Sequence, residues 1–377
     1  MKIAFFIREF PSLSETFIQN QIDGLIKKGH KVDIYTDNYQ PLMPKNKILR
    51  ILKVAGLFLT NIWTEPILLD SLNISKYGHQ AANLRLFYSA LRLKEKKYYD
   101  IIHCQFGTLG LVGLWLKQIG RLEGKLITSF RGIDMSKKYH SLYNELFKKG
   151  YLFLPNNQYF KNKLIELGCD KNKIIIHRSG INLNKFIFSP KTLKPNKKIK
   201  IVSIARLIEK KGIEYGIKAV AKLAKTNKNI EYNIIGDGPL RKQLQNLINE
   251  SGLKNTIKIL GWKKQDEIIE ILKNSHILIA PSITGSDGDI EGIPNSLKEA
   301  MAVGLPVIGT FHSGIPELVK SEFLVPEKDS DALANKLNYL MQHPEIWPEI
   351  TKTNRKIIEE QYDINKLNNQ LIEIYNR

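Results

Sequence analysis

The chain runs twice through the same alternation of short apolar segments and amphipathic ones, and residues 182–198 separate the two runs. The first run places strands at 2–8, 31–36, 99–104, 125–130, 151–154 and 173–177. The second places them at 200–205, 231–235, 256–260, 276–280 and 306–309. Helical periodicity fills the intervals at 14–28 and 109–118, then at 212–226, 240–250 and 295–303. Parallel strands cannot be joined by a tight hairpin; they need a crossover, which helices of this length provide. The pattern predicts an α/β fold with two doubly wound, Rossmann-like domains facing across a cleft. The reading gives 1–185 to the first domain, 198–350 to the second, and 351–377 to a helical tail. Residues 330–377 read as helical, with breaks near Pro344 and Pro348. The stretch between the runs holds Pro190, Pro195 and the lysines Lys191, Lys194, Lys197, Lys198 and Lys200, the composition of an interdomain linker.

Composition narrows the function. A chain of 377 residues accommodates two domains, and a hydrophobic fraction of 43% supplies their cores. Cys104 and Cys169 belong to no Cys-x-x-Cys pair, which argues against a disulfide scaffold or a thiolate zinc site. Charged Arg8 and Glu9 follow the first apolar segment at once, so the start does not read as an export signal. The longest apolar stretch, 48–69, has an uncharged core of only 54–64, short of the roughly 20 residues of a membrane span. It reads either as a buried or ordinary surface helix or as an element that touches a membrane or a lipid-linked acceptor. The net charge of +20 attracts polyanions and anionic lipid and suits phosphorylated substrates. No nucleic-acid-binding motif accompanies it, so nucleic acid is not expected as a partner.

The polar motifs all follow strands, where open parallel sheets hold ligands. Arg206 and Lys211 flank the turn before the helix at 212. Two cations beside a helix start fit a diphosphate and can stabilise the charge that grows on it as it leaves. Gly236-Asp237-Gly238-Pro239 permits a tight turn and close backbone approach, and Pro239 suits a first helical turn. Glu291 and Glu299 stand in a Glu-x7-Glu spacing, roughly 12 Å apart along a helix, too far for a close acid pair. They are suited to different parts of one extended ligand. Glu299 is placed to accept from a ribose diol, and Glu291 to meet the transferring sugar. Gly292, Ile293, Pro294 and Asn295 open that helix with amides that can meet phosphate. His312 to Glu317 form the next loop, in which Glu317 reads as a helix cap. In the first domain His103 reads either as a donor to an acceptor or as a satisfied buried imidazole. Arg131 is a candidate for the sugar or the phosphates, and Asp134 either orients it or caps a helix.

These motifs together resemble the retaining glycosyltransferases of family 4, with the GT-B fold. The resemblance rests on Arg206 and Lys211, Gly236-Asp237-Gly238-Pro239, Glu291-x7-Glu299 and Gly314-Ile315-Pro316-Glu317. The opening from Phe10 to Ile18 and the stretch Asp287-Gly288-Asp289-x-Glu291-Gly292-Ile293-Pro294 are similar to the colanic acid and exopolysaccharide subgroup. The resemblance implies a donor UDP-sugar or GDP-sugar held by the second domain, with no metal and no cofactor. It implies a glycan or polyprenyl-diphosphate-linked acceptor held mainly by the first, with Ser14, Glu15, His103, Phe106, Gly107 and Asp134 near acceptor or sugar. It also implies that the C-terminal helix of 351–377 crosses back to the first domain, and it implies a monomer or weak dimer in the cytoplasm, peripheral at the inner face of the plasma membrane. One position departs: where the family has Phe-His-Gly-x-Asp, this chain has Phe130-Arg131-Gly132-Ile133-Asp134. Arginine cannot act as a base near neutral pH. Either the donor sugar differs, the rate is low, or the histidine is dispensable. Rival readings are a nucleotide-sugar epimerase or phosphorylase on the same fold, and a basic non-enzymatic binder of membrane or nucleic acid. A dinucleotide enzyme is disfavoured, because no Gly-x-Gly-x-x-Gly run is present.

Overall fold

A computed structural model of the chain describes residues 1–10, 16–36, 46–193 and 198–377. Ser14, Glu15, Lys194, Pro195 and Lys197 lie outside the described residues. The chain divides into two compact units. One comprises Met1–Asn156, Phe160–His177 and Gln370–Arg377; the other comprises Asn157–Tyr159 and Arg178–Asn369.

The first unit holds a parallel sheet of β1 (Lys2–Ile7), β2 (Lys31–Thr36), β3 (Lys97–Cys104), β4 (Leu122–Phe130) and β5 (Leu152–Pro155), in the order β2-β1-β3-β4-β5. The second holds β6 (Ile199–Ile204), β7 (Ile230–Ile235), β8 (Ile257–Gly261), β9 (Ile277–Ala280), β10 (Val307–Thr310) and β11 (Leu324–Val325), in the order β11-β10-β9-β6-β7-β8, again all parallel. The central strands are buried on both faces, as the continuous apolar run from Ile3 to Ile7 and the strand Ile277–Ala280 show. Crossover helices bury one stripe each. The helix Ile213–Thr226 turns Ile213, Ile217, Val220, Leu223 and Ala224 into the core at helical spacing. Cys104 and Cys169 are free and buried.

The two sheets follow the sequence pattern, and the differences have local causes. Residues 173–177 form no strand. Ile174 makes one bridge to Phe153, and Ile175 and His177 donate to Phe153 and Pro155, because β5 is only four residues long. The helix Gln265–Lys273 and the two-residue β11 escaped the reading, as did the helical segments between Pro66 and Arg92, while the helix Lys47–Thr64 falls in the stretch 48–69 that was read as one of two alternatives. Pro239 lies in the turn ahead of a helix that begins at Arg241. Pro348 sits in the first turn of the helix Trp347–Gln361, where a proline lacks nothing, so it starts that helix and does not break one. The break near Pro344 is present: one helix ends at Gln342, and Pro344–Ile346 form a 3-10 turn before the next begins. A second break follows. Tyr362 and Asp363 pair with Ile181, and a separate helix, Ile364–Tyr375, follows.

Candidate active site

The second sheet changes direction at β6. The chain moves outward through β7 and β8, then returns to β9 on the other side of β6. Loops leaving β6 and β9 therefore part at their carboxyl ends, and such a switch point is where open parallel sheets hold ligands. Two glycines fix the loop after β6. Gly236, at φ +136°, lets β7 end against Ala205, whose carbonyl oxygen would stand 1.9 Å from an added Cβ. Gly212, at φ +58°, does the same against the Pro281 carbonyl, again at 1.9 Å. Leu207 donates to the Asp237 carbonyl, and Ile283 to the Lys210 carbonyl, so the three post-strand loops are stitched together. Asp237 accepts from the Gly238 amide at 2.8 Å and from Arg241 at 2.6 Å, which holds the Gly236-to-Pro239 turn.

Inside this frame the cations after β6 meet the carboxylates after β9. Lys211 Nζ lies 2.6 Å from Glu291 Oε2, with both side chains largely shielded from water. Burial alone would raise the Glu291 carboxyl. Lys211, then Lys210, the Lys211 hydrogen bond and His312 outweigh it and hold the group at about 2. Glu291 is therefore ionised at any working pH. Lys210, itself buried, donates to Asp289 Oδ1 at 3.1 Å and to the Ile290 carbonyl at 3.2 Å. Glu209 accepts from the amide and hydroxyl of Ser286. The 209–211 turn thus grips the whole Asp287-to-Glu291 loop. Behind it, the Glu291 amide donates to His312 Nε2 at 3.0 Å, so the His312 proton resides on Nδ1, which donates to Glu327 Oε1 at 2.6 Å. Glu327 also accepts from the Thr284 amide at 2.7 Å. Arg206 is exposed, and among the described residues its guanidinium has no hydrogen-bond or ion-pair partner.

The helix Asn295–Val303 starts after Pro294, and no side chain caps its first turn. Its opening amides are free to meet an anion. Gly292, Ile293 and Pro294 are buried beneath it. Glu299 sits further along the helix and has no hydrogen-bond partner among the described residues. Burial pushes its carboxyl up to about 7, against a smaller downward pull from Lys298. A shielded carboxylate without a donor is a group poised to accept hydrogen bonds from a ligand. Glu317 caps, as expected of it: its Oε1 accepts from the Gln158 and Tyr159 amides at 2.7 and 3.3 Å.

In the first unit the switch point lies between β1 and β3. Asp134 is fully buried and accepts from the amides of Gly107, Arg131 and Gly132, which ties the turns after β3 and β4 together. It buttresses those turns from inside and has no exposed surface with which to touch an acceptor. His103 is likewise buried, with Nδ1 2.6 Å from the Tyr375 hydroxyl and Nε2 2.8 Å from Ser129 Oγ. Burial first, then Arg131 and His177, push it well below the ordinary histidine range, so it is the satisfied neutral imidazole of the two readings. Arg131 remains at the rim. Gln105 Oε1 accepts from its Nε at 3.1 Å and from a terminal nitrogen at 2.7 Å, and its guanidinium stacks on Phe17 at 4.7 Å. Arg8 stacks on Phe106 at 4.5 Å. Gly107 is packed against Phe130 and Tyr143.

Sequence reasoning missed Lys210, Glu209, Glu327 and Gln105 and gave His312 only a place in a loop. The first three act across loops that are far apart in the chain, and no local spacing announces them. Among the described residues no group of three or more His, Cys, Asp or Glu side chains is placed to hold a metal ion.

The family model described as Glycosyl transferases group 1 matches residues 184–363, and the one described as Glycosyltransferase Family 4 matches 14–185. The amylovoran biosynthesis glycosyltransferase AmsK of Erwinia amylovora is 36% identical over 100% of both chains. WcaL of Salmonella typhimurium, a glycosyltransferase assigned to colanic acid biosynthesis, is 34% identical over 98% of both. Among solved structures, Alr3699/HepE of Anabaena in complex with UDP-glucose shares the fold, with a TM-score of 0.74, 18% identity and coverage of 100% of this chain and 99% of that one.

Proposed function

From the premise that this chain belongs to glycosyltransferase family 4, with the GT-B fold, and so moves a sugar from a nucleoside diphosphate sugar to an acceptor, we propose how and where it does so. The donor is a UDP- or GDP-sugar. The anomeric configuration is retained, no metal ion takes part, and the acceptor is a glycan or a polyprenyl-diphosphate-linked oligosaccharide of exopolysaccharide, O-antigen or capsule assembly. The enzyme works at the cytoplasmic face of the plasma membrane, where its charge of +20 favours anionic lipid.

One observation carries this reading: a lysine locked onto an ionised glutamate at the switch point, beside an uncapped helix start and an unpartnered carboxylate. An ammonium has three donors. Glu291 takes one of Lys211's, and the others are left for the diphosphate. Arg206 and the amides from Asn295 onward add positive field, and Glu299 accepts from the ribose diol. The acceptor hydroxyl attacks the anomeric carbon on the face the diphosphate leaves. As the carbon–oxygen bond to phosphate breaks and the bond to the acceptor forms, the hydroxyl proton passes to the departing phosphate oxygen. Preorganised cations at the point where charge develops are worth about 10²–10³ in rate per group removed. Arg131, held in the first unit by Gln105 and Phe17, is a hydrogen-bond donor and a charge and cannot act as a base.

The test is a product assay with UDP- and GDP-sugars and a lipid-diphosphate oligosaccharide, read by proton coupling at the new anomeric centre. An α-linked product from an α-donor is expected. A β-linked product overturns the retaining mechanism. Sugar interconversion without acceptor shows an epimerase instead.

A further inference from the structure

The helix Lys47–Thr64 carries an apolar arc that faces solvent. At about 100° per residue, Ile48, Leu49, Leu52, Leu59 and Trp63 fall within one arc of about 100°, the width of a normal core-facing stripe. Here that stripe faces solvent: Trp63 is 90% exposed, Leu59 72%, Ile48 69% and Leu52 63%. The segment that follows adds exposed Ile67, Leu69 and Ile74. Single exposed leucines need no explanation, but a contiguous apolar ridge of this kind marks an interaction surface.

We propose that this ridge is a docking element that lies in the plane of an anionic lipid bilayer, with Leu52, Leu59 and Trp63 entering the acyl boundary. Charge selects the occupant. The helix sequence carries Lys47, Arg50 and Lys53 and no acidic residue. The two acids that follow are neutralised from within, Glu65 by Arg121 and Asp70 by Lys76. The polar side chains of the helix also suit lipid. Thr60 donates to the Gly56 carbonyl at 2.9 Å, Asn61 to the Leu57 carbonyl at 2.7 Å and Thr64 to the Asn61 carbonyl at 3.0 Å, so they bring their own hydrogen bonds with them. No described helix is long and apolar enough to cross a membrane, so the element lies on the surface and does not span. The inference extends the membrane-side working place proposed above and does not depend on the transfer chemistry.

Vesicle flotation of the full chain tests it, with phosphatidylglycerol–phosphatidylcholine vesicles beside pure phosphatidylcholine. Trp63 fluorescence and the oligomeric state by light scattering are measured on the same samples. Binding to the anionic vesicles with a blue shift is expected, absent with pure phosphatidylcholine. It should fall at least tenfold in Leu52→Ser/Leu59→Ser/Trp63→Ser, with nucleotide binding and melting unchanged because these side chains are largely exposed. Equal flotation of the triple variant overturns the assignment. So does a dimer that the variant converts to monomer without vesicle binding, which would make the ridge a self-association face.

Discussion

At the residue scale, two glutamates on one loop and helix have been set to opposite ends of the carboxylate range by their surroundings. Glu299 is raised to about 7 by burial. A ribose diol donates to the ionised form, so nucleotide affinity should rise between about pH 6 and 8. A Glu299→Gln variant should bind more weakly at pH 8 and show no such rise in calorimetry; a parallel pH profile in the variant would remove the ribose role. Glu291 is held at about 2. A carboxyl depressed in the folded state contributes stability that is present above its unfolded value and lost as pH falls toward the folded one. Urea midpoints should therefore drop between pH 4.5 and about 2. Glu291→Gln should flatten that slope and remove about 3 kcal/mol at neutral pH.

At the scale of elements, the turns after β6 and β7 depend on backbones that touch. Gly236→Ala would place a Cβ against the Ala205 carbonyl at a φ of +136°. The expected cost is about 2 kcal/mol or more, with donor affinity lost because the 205–207 turn must move; an unchanged melting temperature and affinity would show that the contact yields freely. The sequence made these turns legible, because glycines and charges at strand ends stand out against apolar runs. Arg206, Lys211, Glu291 and Glu299 were visible for that reason. His312 and Glu327 were not, because their partnership joins the loops after β10 and β11, and β11 is two residues long. The helix Lys47–Thr64 was visible only as an ambiguity. Its periodicity is that of a buried helix, and sequence alone does not say which way such a stripe faces.

At the scale of the molecule, two units each carry their own sheet and core, and the last helix begins in one and ends in the other. Thermal unfolding should show two transitions by calorimetry. A nucleoside diphosphate at about a hundred times its Kd should add about 2.7 kcal/mol, a rise of roughly 5–11 °C, to the transition of the unit that holds it. A single transition would mean that the shared helix couples both units into one cooperative system. The measurement that bears most directly on the site is calorimetric binding of a nucleoside diphosphate and of the bare nucleoside, with UDP or GDP used according to which binds. Replacing Lys211 with alanine should abolish most of the advantage of diphosphate over nucleoside, while Glu299→Gln should weaken both ligands alike. If Lys211→Ala leaves that advantage intact, the diphosphate is held elsewhere and the reading of the second unit is wrong.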